Sequence, residues 1–250
     1  MTELITANKR RSIALGAGFV LVVCLVGAVL GLLIGQLLLG AIAGLVVGAV
    51  FWALAFKTAD VRALKACGAV PADRDHYQRL HNLVEGLCVA IGLPKPQIFV
   101  VEDGALNALA TGRDPKHASL AVTTGLLERL DRVELEGIVA HELAAIRAHD
   151  TGVATLAVSL AAGIPLVGDR ILRAVLPPDR DTSADIAAAS ITRYPPGLVA
   201  ALEKLRNGST VVGGVKASTA HLWICSPLAE TPADDGRTPL EQRIALLREI

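Results

Sequence analysis

The sequence is short of aromatic residues, of net charge and of paired cysteines, and each shortage narrows its class. Two Trp, two Tyr and four Phe give 3% aromatics, against 52% apolar residues overall. The apolar content therefore comes from Ala, Val, Leu and Gly, a composition of helices, some of them in lipid. Lys and Arg number 24 and Asp and Glu 24, so the formal net charge is zero. That balance removes the electrostatic case for nucleic acid or for a strongly acidic partner. Cys24, Cys67, Cys88 and Cys225 include no CxxC pair and no zinc-knuckle spacing. With Cys24 inside an apolar run, a secreted disulfide framework is excluded, and all four read as small buried hydrophobes in a reducing compartment. No internal repeat or low-complexity tract is present. A length of 250 residues accommodates one core-bearing domain and a membrane anchor.

From Ser12 to Phe56 charge is absent altogether, and Gln36 is the one strongly polar residue. A single spanning helix takes about 20 apolar residues, so this run suffices for two. Gly31, Gly35, Gln36 and Gly40 loosen its middle, and lipid demands that every backbone hydrogen bond be satisfied internally. A transmembrane helical hairpin over residues 12–56 is therefore predicted, breaking between Gly31 and Gly40. Gly27, Gly31 and Gly35 recur at spacings of four, a pattern for close helix approach. The run is too long for the apolar region of a signal peptide and ends in no cleavage site. Lys9, Arg10 and Arg11 precede it, and Lys57, Arg62 and Lys65 follow it. The positive-inside rule then puts residues 1–11 and 57–250 on the cytoplasmic side of a cell membrane.

The segment after the hairpin reads as α+β, mainly helical with a small sheet. Asp73 to Ile91 has helical spacing of Leu80, Leu83, Val84, Leu87 and Cys88, stopped by Gly92 and Pro94. Gln97 to Val101 and Ser119 to Thr123 are short strands separated by turn residues. Asp131 and Glu134 form a capping box that opens a helix from Arg132 to about His149. Thr151 to Val167 is apolar but broken by Gly163 and Pro165, so residues 151–176 are expected as a buried, interfacial or membrane-associated segment. Helices are expected again from Asp179, over Leu198 to Leu205 after a turn at Tyr194 to Gly197, and over Pro239 to Ile250.

Chemistry concentrates in His141-Glu142-Leu143-Ala144-Ala145, inside the capped helix. In the H-E-x-x-H motif two imidazoles four residues apart share one helix face and grip one Zn²⁺, and the Glu acts as general base on the metal-bound water. Here the fifth position is Ala145, so half of the motif is present. An isolated His-Glu pair on a helix is ordinarily a chance pairing of polar residues.

The surroundings are not ordinary. GLPKPQIFVVED, NALATGRDPKHASLAVTTGLLERLDRVELEGIVAHEL and IRAHD resemble the HtpX-type heat-shock metallopeptidases, relatives of the CAAX prenyl proteases. DTSADIAAA resembles the helix that supplies the family's third zinc ligand, and PPGLVAALEKL, STAHLWICSPL and TPLEQRIALLREI resemble its C-terminal pieces. The resemblance implies a zincin-like peptidase domain, with a small sheet whose edge binds an extended peptide, and a zinc cofactor. It implies His141 as first zinc ligand, Glu142 as general base, Ala145 at the place of the second His, and Asp181 at the place of the Glu that completes the site. Asn107 and Ala108 fall in the stretch bordering the family's substrate cleft, and Arg237 near a position where relatives carry His before a proline. Asp for Glu keeps an oxygen ligand, whereas Ala for His deletes a ligand outright. His149, about 80° round a regular helix from His141, reads as structural. His221 is expected on a strand near the cleft as another stand-in ligand. Two functions stay open at this point. One is an impaired zinc metalloendopeptidase acting on protein or peptide substrates at the cytosolic membrane face. The other is a pseudopeptidase that binds peptides or regulates partners without hydrolysis, anchored in the lipid bilayer.

Overall fold

The computed structural model describes residues 2–161, 172, 175–229 and 236–250. Helix α1 (Thr2–Leu33) and helix α2 (Leu37–Ala66) form the expected hairpin, and both continue beyond the uncharged run into charged sequence. The break falls at Ile34 to Gln36, where Gly35 takes a φ of 73° that favours glycine and the Gln36 N–H donates to Gly31 O at 2.7 Å. Large apolar side chains such as Leu25, Leu33, Leu38 and Leu45 stay exposed along both helices, as a lipid-facing pair requires. The contact between the helices is made by glycine. A Cβ at Gly31 would lie 2.7 Å from Gln36 O and 2.8 Å from Gly40 Cα, and one at Gly44 would lie 2.7 Å from Val23 O. Of the three glycines expected at this seam, Gly27 and Gly31 line it, while Gly35 belongs to the turn and meets nothing.

Beyond the hairpin the chain builds a four-stranded sheet in the order β1-β2-β4-β3. The strands are β1 (Val70–Pro71), β2 (Gln97–Val101), β3 (Ala108–Gly112) and β4 (Ala118–Thr123). β2 and β4 are parallel, and the other two pairs are antiparallel. Helix α3 (Gln78–Ile91) starts five residues later than its periodicity implies, because Asp73 Oδ1 accepts the Asp75 and His76 N–H groups and holds a turn there. A short helix α4 (Thr124–Arg129) follows β4 and leads into α5 (Arg132–Arg147).

α5 is the buried axis of the domain, with every residue from Gly137 to Ile146 out of solvent. Its start is the expected capping box. Asp131 Oδ1 accepts the N–H groups of Val133 and Glu134 at 2.8 and 2.9 Å, and Glu134 Oε2 accepts the Asp131 N–H at 2.8 Å. Helix α6 (Asp150–Ala161) follows, then α7 (Arg180–Thr192), α8 (Pro195–Asn207) and α9 (Leu240–Arg248). α5 packs against α7 and α8, and Gly137 lets α8 come close, since a Cβ there would sit 2.8 Å from Leu198 Cα. Pro195 and Pro196 open α8 rather than forming a free turn, as proline tolerates the first helical turn. The described part of residues 151–176 is buried against protein: Thr151 to Val158 pack on α1, α2 and β3, and the rest of the Thr151–Val167 expectation lies outside the described residues. All four cysteines are free thiols.

Gly31→Leu is expected to force α1 and α2 apart and cost about 1–3 kcal/mol, the range for overpacking a tight contact. The thermal midpoint in detergent reads this, with Gly18→Leu as control, because a Cβ at Gly18 meets nothing within 4 Å.

Candidate active site

α5 ends at Arg147 and the chain leaves it through His149, whose φ of 58° is left-handed. His149 is therefore off the helix that carries His141. The last turn is capped from the membrane side: Asn8 of α1, itself buried, donates Nδ2–H to Ala148 O at 3.0 Å.

His141 and Glu142 are each only 3% exposed. Four residues apart on the facing helix α7 stand Asp181 and Asp185, also buried. His141 Nδ1 lies 2.7 Å from Asp185 Oδ1. Asp185 is gripped from its other side by Arg243 of α9, Nε to Oδ2 at 2.6 Å and Nη2 to Oδ1 at 2.8 Å. Burial alone would raise the Asp185 carboxyl, but the Arg243 guanidinium outweighs it and holds the group below the usual carboxylate range. An ionised carboxylate can only accept, so Nδ1 of His141 carries the proton and donates it. With Nδ1 engaged in this way, Nε2 is the ring nitrogen left to serve as a ligand.

Asp181 has a different set of partners. Arg237 donates Nε–H to its Oδ2 at 2.8 Å and brings Nη2 to 2.8 Å of the same oxygen. Arg180 Nε is 3.7 Å from its Oδ1 and 3.2 Å from Asp150 Oδ2. Burial pushes Asp181 upward, and Arg237, Arg243 and Arg180 together override it and keep the carboxyl far below its ordinary value. Arg237 and Arg243 also converge on one acceptor, the Ile224 carbonyl, at 2.9 and 3.0 Å.

Glu142 is the uncompensated acid. Its Oε1 is buried with no hydrogen-bond partner among the described residues, and burial raises its carboxyl to about 7, offset only in part by His141 and Arg180. Ala145 borders a cavity of about 140 Å³ between α5, α7 and the start of α1, shared with Ala148, Asn8, Arg11, Arg180 and Ala184.

The donor set does not suit a resident zinc. A catalytic zinc takes three protein ligands and keeps a fourth position open. His141 offers one nitrogen, Asp181 is committed to arginine, and Ala145 offers nothing. Among the described residues no three His, Cys, Asp or Glu side chains group to hold a metal ion.

The cleft residues also differ from expectation. Asn107 and Ala108 are fully buried. The Asn107 amide donates to Thr210 O and Cys225 O and accepts from the Ala108 and Cys225 N–H groups, so it is a staple inside the fold. The start of the outer edge of β3 is covered: Leu109 bridges to Trp223, and Ile224 N–H donates to Ala108 O at 2.9 Å. His221 sits on a 3-10 helix (Ala217–Leu222) rather than a strand, and borders a small cavity with Arg180 and Arg237. Sequence reasoning passed over Asp185, Arg243 and Arg180. The spacing of Asp181 and Asp185 on one face of an Ala-rich helix was the available signal for the first; nothing local marked the arginines.

A His-Glu helix crossed by an acidic helix, beside a small mixed sheet, defines a zincin-like peptidase fold, and the chain belongs to peptidase family M48, whose model matches residues 75–205. Within that family it is of the HtpX type, a membrane-associated zinc metallopeptidase group. The protease HtpX homolog of Listeria monocytogenes serotype 4b is 30% identical over 99% of both chains. That of Dictyoglomus thermophilum is 36% identical over 78% of this chain and 76% of its own, and that of Caldanaerobacter subterraneus is 33% identical over 79% and 80%.

Removing Arg243 leaves Asp185 buried without its guanidinium and held only by the His141 hydrogen bond, so Arg243→Met is expected to cost about 3–5 kcal/mol in a chemical-denaturation experiment. A pH series tests Glu142. Its folded carboxyl, raised to about 7, favours the fold below the unfolded value near 4.5, and that contribution is lost as pH rises through 7. Glu142→Gln should therefore leave the midpoint nearly unchanged at pH 4 and raise stability at pH 8, by up to about 3 kcal/mol.

Proposed function

We propose that this chain is a membrane-anchored pseudopeptidase of the HtpX type, which keeps the family scaffold on the cytosolic side of the membrane and does not hydrolyse peptides. In this reading it binds or regulates protein partners there, with the α1–α2 hairpin as its anchor. The orientation rests on the basic residues Lys9, Arg10, Arg11, Lys57, Arg62 and Lys65 at both ends of the uncharged run.

The observation that carries the proposal is the pairing of Ala145 with an Asp181 already neutralised by Arg237. Two of three expected zinc ligands are thereby absent or engaged. Without a metal there is no activated water for Glu142 to deprotonate and no Lewis acid to polarise a scissile carbonyl. His141, Asp185 and Arg243 then act as a buried polar core, which positions α5, α7 and α9 relative to one another.

A residual zinc endopeptidase is the second reading. Glu142, buried with an unengaged oxygen, and His141, oriented by Asp185 through Nδ1, favour it. The two readings part in one experiment. Purified full-length protein in detergent, supplied with zinc, is expected to hold no stoichiometric metal and to leave an unfolded protein substrate intact. Tight zinc together with cleavage that stops on chelation would establish the peptidase instead.

A further inference from the structure

The departure at Asp181 runs deeper than a shortened side chain. A carboxylate this buried stays ionised only when a cation compensates it, whether a metal ion or a guanidinium. In a metallopeptidase of this architecture the metal does that work. Here Arg237 reaches Asp181 with two nitrogens at 2.8 Å, and its side chain is only 12% exposed. The arginine cannot lose its proton at any ordinary pH, so the compensation is permanent.

Arg237 does more than neutralise. Its Nη2 also donates to Ile224 O, the carbonyl that Arg243 holds as well. Ile224 in turn donates its N–H to Ala108 O on the edge of β3. One guanidinium thus links the acidic helix α7 to the segment covering the sheet edge. A metal coordinated by Asp181 would have to displace both the ion pair and this link.

We infer that the guanidinium of Arg237 takes the electrostatic place of the metal, so that the site is closed to zinc by a built-in cation and not merely by the loss of the imidazole at position 145. The inference rests on the pseudopeptidase reading and extends it, because it assigns the incapacity to two independent changes. Restoring the missing ligand alone does not restore the centre.

The test uses zinc alone as probe, on the full-length protein in detergent. Ala145→His is expected to bind zinc no better than the parent. Ala145→His combined with Arg237→Gln adds no further ligand but frees Asp181, and is expected to bind zinc about 10–100-fold more tightly, the scale on which groups around a ligand set act. Stoichiometric, tight zinc in Ala145→His alone overturns the inference. A parent that itself holds zinc and cleaves overturns the pseudopeptidase reading, so the two failures are distinguishable. Folding of the combined variant is covered by a cycle in the parent background. Asp181→Asn and Arg237→Gln should each lower the thermal midpoint, and the double variant should recover at least half of the loss, as a directly coupled pair does. Losses that simply add would show that Arg237 is not the compensating cation.

Discussion

Two carboxylates four residues apart on one face of α7 set the terms for the whole domain. Neither reaches water, since Asp181 is 3% and Asp185 1% exposed. Leaving either without a counter-charge in the interior would cost several kcal/mol. The fold answers with partners drawn from distant parts of the chain: the imidazole of His141 from α5, and the guanidinium groups of Arg180 from α7 itself, Arg237 from the approach to α9, and Arg243 from α9. Because both Arg237 and Arg243 also bind Ile224 O, the arginines are fixed in position by backbone as well as by charge. The C-terminal helix α9 is therefore pinned to α7, and through Asp185 to His141 of α5, by ion pairing and hydrogen bonds as well as by apolar packing of Ile244 and Leu247.

The same chemistry sets the surroundings of each acid at the site. Asp185 serves equally as the group orienting a metal-binding imidazole and as one arm of an ion pair, and its place requires no metal. Asp181 serves only as a ligand or as a partner for arginine, and Arg237 fixes the second role. Glu142 is left with neither, which is why burial dominates it. The three acids of one site thus have three environments, and their proton affinities spread apart accordingly: two held low by guanidinium, one raised.

Much of the architecture was legible locally. The uncharged run announced the hairpin, Gly35 and Gln36 its turn, and Asp131 with Glu134 the start of α5, because each depends on residues within a few positions. The helix break at His149 was not legible to the residue, since a left-handed residue other than glycine leaves no strong signature. Nor was the covering of β3 by Trp223 and Ile224, a contact across more than 100 residues of chain that no periodicity encodes. At the site, His141, Glu142 and Asp181 are all buried, while the arginine partners were invisible: a buried Arg in an amphipathic C-terminal helix looks the same in sequence as a solvated one. Asn107 was singled out for a cleft and instead staples three segments, because a family resemblance transfers a position more readily than an exposure.

The amide of Asn8 on the carbonyl of Ala148 has a geometric consequence. α1 is a single unbroken helix, and Asn8 stands four residues before Ser12, where the uncharged run begins, a rise of about 6 Å. With that run placed in the hydrocarbon layer, the end of α5 lies at the depth of the lipid headgroups. The contact ties the domain to the hairpin at that depth, so a chain segment that meets this face does so beside the bilayer surface.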